Sequence, residues 1–223
     1  MPGSTTTAAL ERAVHRYRRA PLVARWSVHG RAFLSDLARI EEYVPRHGFV
    51  VDLGCGDGLF ANLLAEASPR RRILGVDIDD RKIAVARATI AGRDALRFEV
   101  SDIVRVPPPR CDAVTIVDVL YLFAPEDQER ILRGIADALA EGAPLIVKAQ
   151  EARIDPRYAL TYAQEVLSAS LGLTRGARSR FHFAPRETAM AMFGRAGFRA
   201  EAVEMRSRPY TDVLYLARRS PAA

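Results

Sequence analysis

The stretch Val50-Val51-Asp52-Leu53-Gly54-Cys55-Gly56-Asp57-Gly58-Leu59-Phe60 constrains this chain more than any other. It predicts a short buried strand, a glycine turn and the first turn of a helix. Gly54, Gly56 and Gly58 remove side chains where the backbone must bend sharply and where a ligand can approach it closely. The helix that follows turns free N–H groups and the positive end of its dipole toward that ligand.

The pattern on either side of the loop gives the fold class. Apolar runs at 49–53, 73–77, 96–100, 113–117 and 145–148 read as strands, and they alternate with helical patterns over 59–67, from Asp80, and over 125–140. Ala113–Val117 is almost wholly apolar, as a central parallel strand buried on both faces must be. The expectation is an α/β fold with a doubly wound, mostly parallel sheet. Right-handed crossovers collect the loops after the strands on one edge, where ligands of such sheets bind. A helix at 186–196 and strands near 199–206 and 212–218 add an antiparallel C-terminal pair and bring the sheet to seven strands.

Two helical patterns precede the first strand. Leu10, Ala13, Val14 and Tyr17 follow helical spacing up to Pro21. A second helix is expected over 27–44, with Phe33, Leu34, Leu37, Ile40 and Val44 on one apolar face. Together they form an N-terminal helical lid over the sheet edge or the site.

Charge and cysteine content limit the partners. The net charge is +6, nearly all of it from Arg, with Lys only at Lys82 and Lys148. That raises nucleic acid or a membrane surface as partners. Apart from Arg70-Arg71-Arg72 and Arg16/Arg18/Arg19, however, the basic residues are scattered, which fits a solvated surface. Cys55 and Cys111 are too few for a disulfide framework and suit a reducing cytoplasm. No run approaches the roughly 18 apolar residues of a membrane span, and the start of the chain lacks a secretory pattern.

Asp77 ends the second strand 21 residues after Gly56, the place from which a carboxylate accepts from both ribose hydroxyls. NAD-binding enzymes share that arrangement. Here, however, Asp52 precedes the glycines and Asp57 lies among them, an unfavourable setting for a pyrophosphate. A sulfonium cofactor with an amino group suits Asp52 better.

At these residues the chain resembles the Rossmann-like (class I) S-adenosylmethionine-dependent methyltransferases. The matching pieces are Val51–Gly58, Gly75-Val76-Asp77-Ile78-Asp79, Ser101-Asp102-Ile103, and Cys111–Val114 through Asp118-Val119-Leu120-Tyr121, in the family's order and spacing. The resemblance implies S-adenosyl-L-methionine as cofactor. Asp52, Gly54, Cys55 and Gly56 would lie at its methionine end. Asp77 would bind the ribose and Ile78 the adenine face; Asp102 would accept from the adenine amino group, with Ile103 beside it. Asp118 would border the methyl-donor pocket. The implied organisation is one domain: a lid at 1–45, a cofactor-binding core at 46–149, a substrate-covering insert at 150–185, and C-terminal strands at 186–223.

The acceptor is less constrained. The segment Asp118-Val119-Leu120-Tyr121 lacks the Asn/Asp-Pro-Pro-aromatic motif of the family's amino-group enzymes, and a ribose-methylation set cannot be assembled from Asp118, Lys148 and Glu204. This points to a small-molecule acceptor, methylated at oxygen, and the apolar faces of the N-terminal helices with the aromatic insert point to a mostly apolar one. Candidate catalytic residues are His182, as general base or orienting group, and Tyr121, which could orient the acceptor or pack in the core. Lys148 would meet an acidic acceptor or pair with Glu151. No clustered acids suggest a metal. RNA or protein methylation, a non-catalytic binding module and a nicotinamide oxidoreductase are the competing readings.

Overall fold

The structure is a computed structural model that describes residues 4–151, 181–205 and 212–220. Strands β1 (Gly48–Leu53), β2 (Arg71–Asp77), β3 (Leu96–Val100), β4 (Ala113–Val117), β5 (Pro144–Gln150), β6 (Phe198–Glu204) and β7 (Asp212–Arg219) form one seven-stranded sheet in the order β3-β2-β1-β4-β5-β7-β6. β1 through β5 run parallel, and β7 is antiparallel to both β5 and β6. The expected α/β class, parallel core and closing C-terminal pair are all present. The order reverses between β1 and β4, so the loops after these two strands open the crevice that ligands of doubly wound sheets use.

Helices α1 (Ser4–His15), α2 (Leu22–Leu34), α3 (Leu37–Glu41), α4 (Leu59–Ala67), α5 (Asp80–Arg87), α6 (Pro125–Ala138) and α7 (Arg186–Arg195) flank the sheet. Alternation along β1 feeds two cores. Val51 and Leu53 pack with Ile131, Leu132 and Ile135 of α6 and Phe193 of α7. Val50 packs on the other face with Leu59, Leu63 and Leu64 of α4 and Ile83 of α5. Ala9, Ala13 and Tyr17 belong to this second core. Within the N-terminal helical layer, α1 and the turn after it are therefore core elements as well.

The single helix expected over 27–44 is two helices. Pro21 does not merely end the first pattern; it sits at the N-cap of α2, where its fixed φ of −52° suits a helix start. Asp36, with φ +44°, then breaks the chain between α2 and α3. The break rotates the two halves of the supposed apolar face apart. Leu37, Ile40 and Val44 are buried, whereas Phe33 is among the most exposed apolar residues described.

The arginine run 70–72 is not a plain connection either. Arg71 begins β2 and is fully buried. Its guanidinium pairs with Glu41 at 2.7 Å and donates to the carbonyls of Val44, Pro45 and Leu64 at 2.6–2.9 Å. One cation thus ties the chain after α3, the last turn of α4 and the start of β2.

Most of the expected insert at 150–185, including Tyr158–Tyr162 and Arg178–Arg180, lies outside the described residues.

Candidate functional site

The glycine loop forms as its composition requires. Gly54, Gly56 and Gly58 have φ of +72°, +55° and +81°, a region costly for other residues. Space is as restrictive as conformation at two of them. A Cβ on Gly54 would come within 2.5–2.9 Å of Val119, and one on Gly58 within 2.6 Å of Phe98. The loop is strapped to β2: the Gly54 and Cys55 amides donate to Val76 O at 2.7 and 2.9 Å, and the Gly56 amide donates to Asp77 Oδ2 at 2.8 Å. Cys55 is buried in this turn, and burial pushes its thiol well above the usual range. It acts as a small apolar residue.

A buried network holds the loop from below. Tyr17 donates to Asp57 O at 2.6 Å, and Asn62 Nδ2 lies 3.0 Å from the Tyr17 hydroxyl, 2.8 Å from Gly58 O and 2.9 Å from Thr89 Oγ1. The turn after α1 is therefore a support of the loop, a role its amphipathic spacing does not reveal.

Asp52 is buried at the end of β1. Its Oδ1 accepts from Thr115 Oγ1 at 2.7 Å, and its Oδ2 has no hydrogen-bond partner. Burial pushes this carboxyl up to about 7, against the opposing influence of Thr115 and Arg31. Such an oxygen costs free energy unless a ligand satisfies it. The linkage sign follows: between its ordinary value and about 7 the folded state holds more protons, so stability falls as pH rises through that window. Asp52→Asn should accordingly leave stability unchanged near pH 4 and raise it above pH 7. The gain should be roughly 1 to 4 kcal/mol, since each tenfold difference in proton affinity between folded and unfolded states is worth about 1.4 kcal/mol. Thermal melts of both proteins across pH check this; equal curves throughout would mean that Asp52 is not held neutral by burial.

Arg31 is the site residue that sequence reasoning missed. It projects from α2 so that its Nη1 lies 3.0 Å from where a Cβ on Gly56 would be, and its charge bears on Asp52, Cys55 and Asp57. Spacing within α2 gives no hint, because the contact depends on how that helix lies over a loop 25 residues away. Asp52 and Arg31 thus offer an acid and a base at one end of the loop, complementary to an amino acid's two charges.

Asp77 offers the next group. Besides Gly56, it accepts from the Asp79 amide through Oδ1 at 2.8 Å; each oxygen keeps a further lone pair for a hydroxyl donor. Ile78 follows it with 49% of its surface exposed, an apolar platform at the sheet edge. Asp102 lies beyond β3, where its Oδ1 accepts from the Val104 amide at 2.9 Å and Oδ2 faces Arg105 at 3.5 Å. Ile103 beside it is buried in the core. These residues fit a nucleoside bearing an amino-acid tail: Asp52 supplies an orphaned acid, Arg31 a cation, Gly54–Gly58 a cradle, Asp77 a hydroxyl acceptor and Ile78 an apolar face.

Asp118 follows β4 with φ +59°, unusual for a residue other than glycine. The conformation aims Oδ1 at Lys148 Nζ, 2.8 Å away, and Oδ2 at the Ser35 hydroxyl, 3.3 Å away. Lys148 is buried and also meets Asp212 at 2.9 Å. Burial alone would lower its pKa, but the two carboxylates raise it above the ordinary value. Lys148 does not pair with Glu151, which meets Arg186 at 2.9 Å instead. Glu204 is exposed and also faces Arg186, at 3.5 Å, so it joins no set with Asp118 and Lys148.

His182 and Tyr121 come together. The His182 amide donates to Tyr121 O at 2.8 Å, and Gln128 bridges Phe123 O and His182 O at 2.9 and 3.4 Å. Tyr121 is buried, with its ring 4.7 Å from that of Phe183 and 6.3 Å from that of Phe181. The half-buried His182 imidazole has no hydrogen-bond partner among the described residues. Among the described residues no group of acids, histidines or cysteines is placed to hold a metal, and no helix is long and apolar enough to cross a membrane.

Comparisons with known proteins bear on the family and the fold. Residues 50–142 match the model of a methyltransferase domain family. Over 113 residues the chain is 30% identical to trans-aconitate 2-methyltransferase of Sinorhizobium fredii, an alignment covering 51% of this chain and 42% of that protein. The chain spans about half the length, or less, of the curated relatives it matches. Among solved structures, the pyocyanin biosynthetic protein PhzM superposes with a TM-score of 0.71 at 16% identity, covering 92% of this chain and 61% of that one. The putative methyltransferase bound to the Trm112 activator of Haloferax volcanii gives 0.71 at 17% identity, with 87% and 93% covered. At such identities these structures speak for the fold.

Proposed function

We propose that the chain, whose residues 50–142 match a methyltransferase domain family, is a Rossmann-like S-adenosylmethionine-dependent methyltransferase and that it methylates a small, mostly apolar molecule at oxygen. The observation that carries the donor half is the buried, unpartnered Oδ2 of Asp52 beside the glycine loop. A cationic amino group would satisfy it, Arg31 would take the carboxylate, and Asp77 the ribose hydroxyls. When bound, S-adenosylmethionine supplies a methyl group already activated on a sulfonium.

The residues of this chain then have two tasks. Asp52, Arg31 and Asp77 fix the donor's position, and alignment of this kind can be worth roughly 7–11 kcal/mol. The other task is to hold the acceptor in line and remove its proton. Tyr121, Phe181 and Phe183 offer an aromatic wall for an apolar acceptor. His182, strapped to Tyr121, is the candidate base for a hydroxyl. The relatives are named for trans-aconitate, whose several carboxylates call for free cations. Lys148 is neutralised here by Asp118 and Asp212, and Arg186 by Glu151, which favours the apolar acceptor.

His182→Ala should lower turnover by about 10² or more, the usual worth of a general base, while leaving donor affinity unchanged. Equal turnover would return His182 to a structural role. The test of the acceptor class is incubation with methyl-labelled donor and a cell extract. Label should enter an organic-soluble small-molecule fraction; label confined to RNA or protein would contradict the proposal.

A further inference from the structure

α2 is two-faced, and only one face is used by the site. Ala24 and Val28 are buried, Arg31 reaches over the glycine loop, and Ser27 hydrogen-bonds Asp57. The opposite face carries Leu22, Val23, Trp26 and Phe33, exposed by 68%, 65%, 77% and 88%. Leu22, Trp26 and Phe33 fall within a narrow stripe at helical periodicity. Of the eight large apolar side chains exposed among the described residues, these are four, on one thirteen-residue helix. Scattered exposed apolar residues need no explanation, but a row of them does.

The charge around the row identifies its partner. From Arg12 to Ser35 the sequence has six arginines and no acidic residue. Arg12 and Arg16 pair with Glu66, and Arg31 lies over the loop. Arg18, Arg19 and Arg25 are exposed and form no ion pair with any described residue. A second copy of the chain is a poor occupant, because a two-fold contact would set this cationic surface against itself. A polyanion without an apolar phase would leave Leu22, Trp26 and Phe33 in water. A surface that is both anionic and apolar accepts the arginines and the row together, and a tryptophan is well suited to such a boundary.

We propose that α2 docks the protein onto anionic lipid membranes, lying in the interface with Leu22, Trp26 and Phe33 inserted and Arg18, Arg19 and Arg25 on the headgroups. The helix is about 20 Å long, enough to lie on a bilayer and too short to cross it. Docking leaves the inner face of α2 on the glycine loop, so the donor site faces the lipid boundary. The inference holds whether or not the chain transfers methyl groups.

Trp26 is the only tryptophan of the chain and reports on the contact directly. The full-length protein is mixed with vesicles of phosphatidylcholine, alone or with about one third phosphatidylglycerol, and followed by sedimentation and Trp26 emission. Binding and a blue shift are expected with phosphatidylglycerol and not without it. Arg18→Gln/Arg19→Gln/Arg25→Gln should weaken binding about a hundredfold, given the usual contribution of each basic residue near an anionic surface. Leu22→Ser/Phe33→Ser should abolish the blue shift at an unchanged melting temperature, since both residues are exposed. The proposal fails if anionic vesicles neither sediment the protein nor shift its emission. It also fails if emission is already blue-shifted without lipid, in a monomer or in a dimer seen by analytical ultracentrifugation.

Discussion

Asp77→Ala should weaken S-adenosylmethionine binding by about a hundredfold or more, measured by calorimetric titration. The carboxylate is the one group at the end of β2 able to accept from two ribose hydroxyls, and hydrogen bonds to a charged acceptor are worth about 1.5–3 kcal/mol each. Two such bonds at the lower value already give the hundredfold. The same side chain holds the Gly56 and Asp79 amides at 2.8 Å, so the alanine variant also loosens the loop and should melt at a somewhat lower temperature. Asp77→Asn separates the two effects. It keeps an oxygen for one amide and loses the charge, and should fold nearly as well while still binding the donor poorly. Unchanged affinity in a folded variant would remove Asp77 from the site.

Glu41→Ala should be the most damaging single change to stability, at about 3–5 kcal/mol in urea unfolding. Glu41 is fully buried, accepts from Thr6 at 3.2 Å, and pairs with Arg71 at 2.7 Å and with Arg46 at 3.0 Å. Removing it leaves the Arg71 guanidinium buried among three carbonyls without an opposite charge beside it. Burial already depresses the pKa of Arg71, an effect that Glu41 resists. For a domain whose whole stability is about 5–15 kcal/mol, this loss decides whether it stays folded. The pair Glu41→Leu/Arg71→Met should cost less than Glu41→Ala alone, because an uncompensated charge is worse than no charge. A Glu41→Ala protein as stable as the parent would show that the pair is hydrated and weak.

The two predictions differ in how far the sequence foretold them. The place of Asp77 is legible because it depends on a fixed relation: strand, glycine turn, helix, strand, acid. Local periodicity carries that relation, and β1 through β5 lie within a few residues of their expected positions for the same reason. The Arg71–Glu41 pair is not legible. Arginine next to arginine reads as a charged connection, and only tertiary packing shows that β2 starts two residues early and draws the middle guanidinium inside. Arg31 and Tyr17 escaped for a related reason: each acts across a helix–loop contact that no spacing encodes. Asp36 shows the reverse failure. A sound apolar pattern ran through residues 33–44, but one residue in a left-handed conformation splits it and turns Phe33 outward.

The acceptor half of the site was the least legible. His182 and Tyr121 are 61 residues apart in sequence, and a backbone hydrogen bond, the Gln128 bridge and the contacts of Tyr121 with Phe181 and Phe183 bring them together. Those contacts give the candidate base a place beside an aromatic wall. Asp118 and Lys148 were each expected near the site, but what they do there, neutralising one another with Asp212, follows from the fold.

The Asp52–Gly58 loop, with Asp77, is proposed to hold S-adenosylmethionine. One calorimetric experiment tests it most directly, titrating the protein separately with S-adenosylmethionine and with NAD. Saturable binding of S-adenosylmethionine is expected, and none of NAD at the same concentrations; selective binding of NAD, or no binding of S-adenosylmethionine, would remove the donor from this loop.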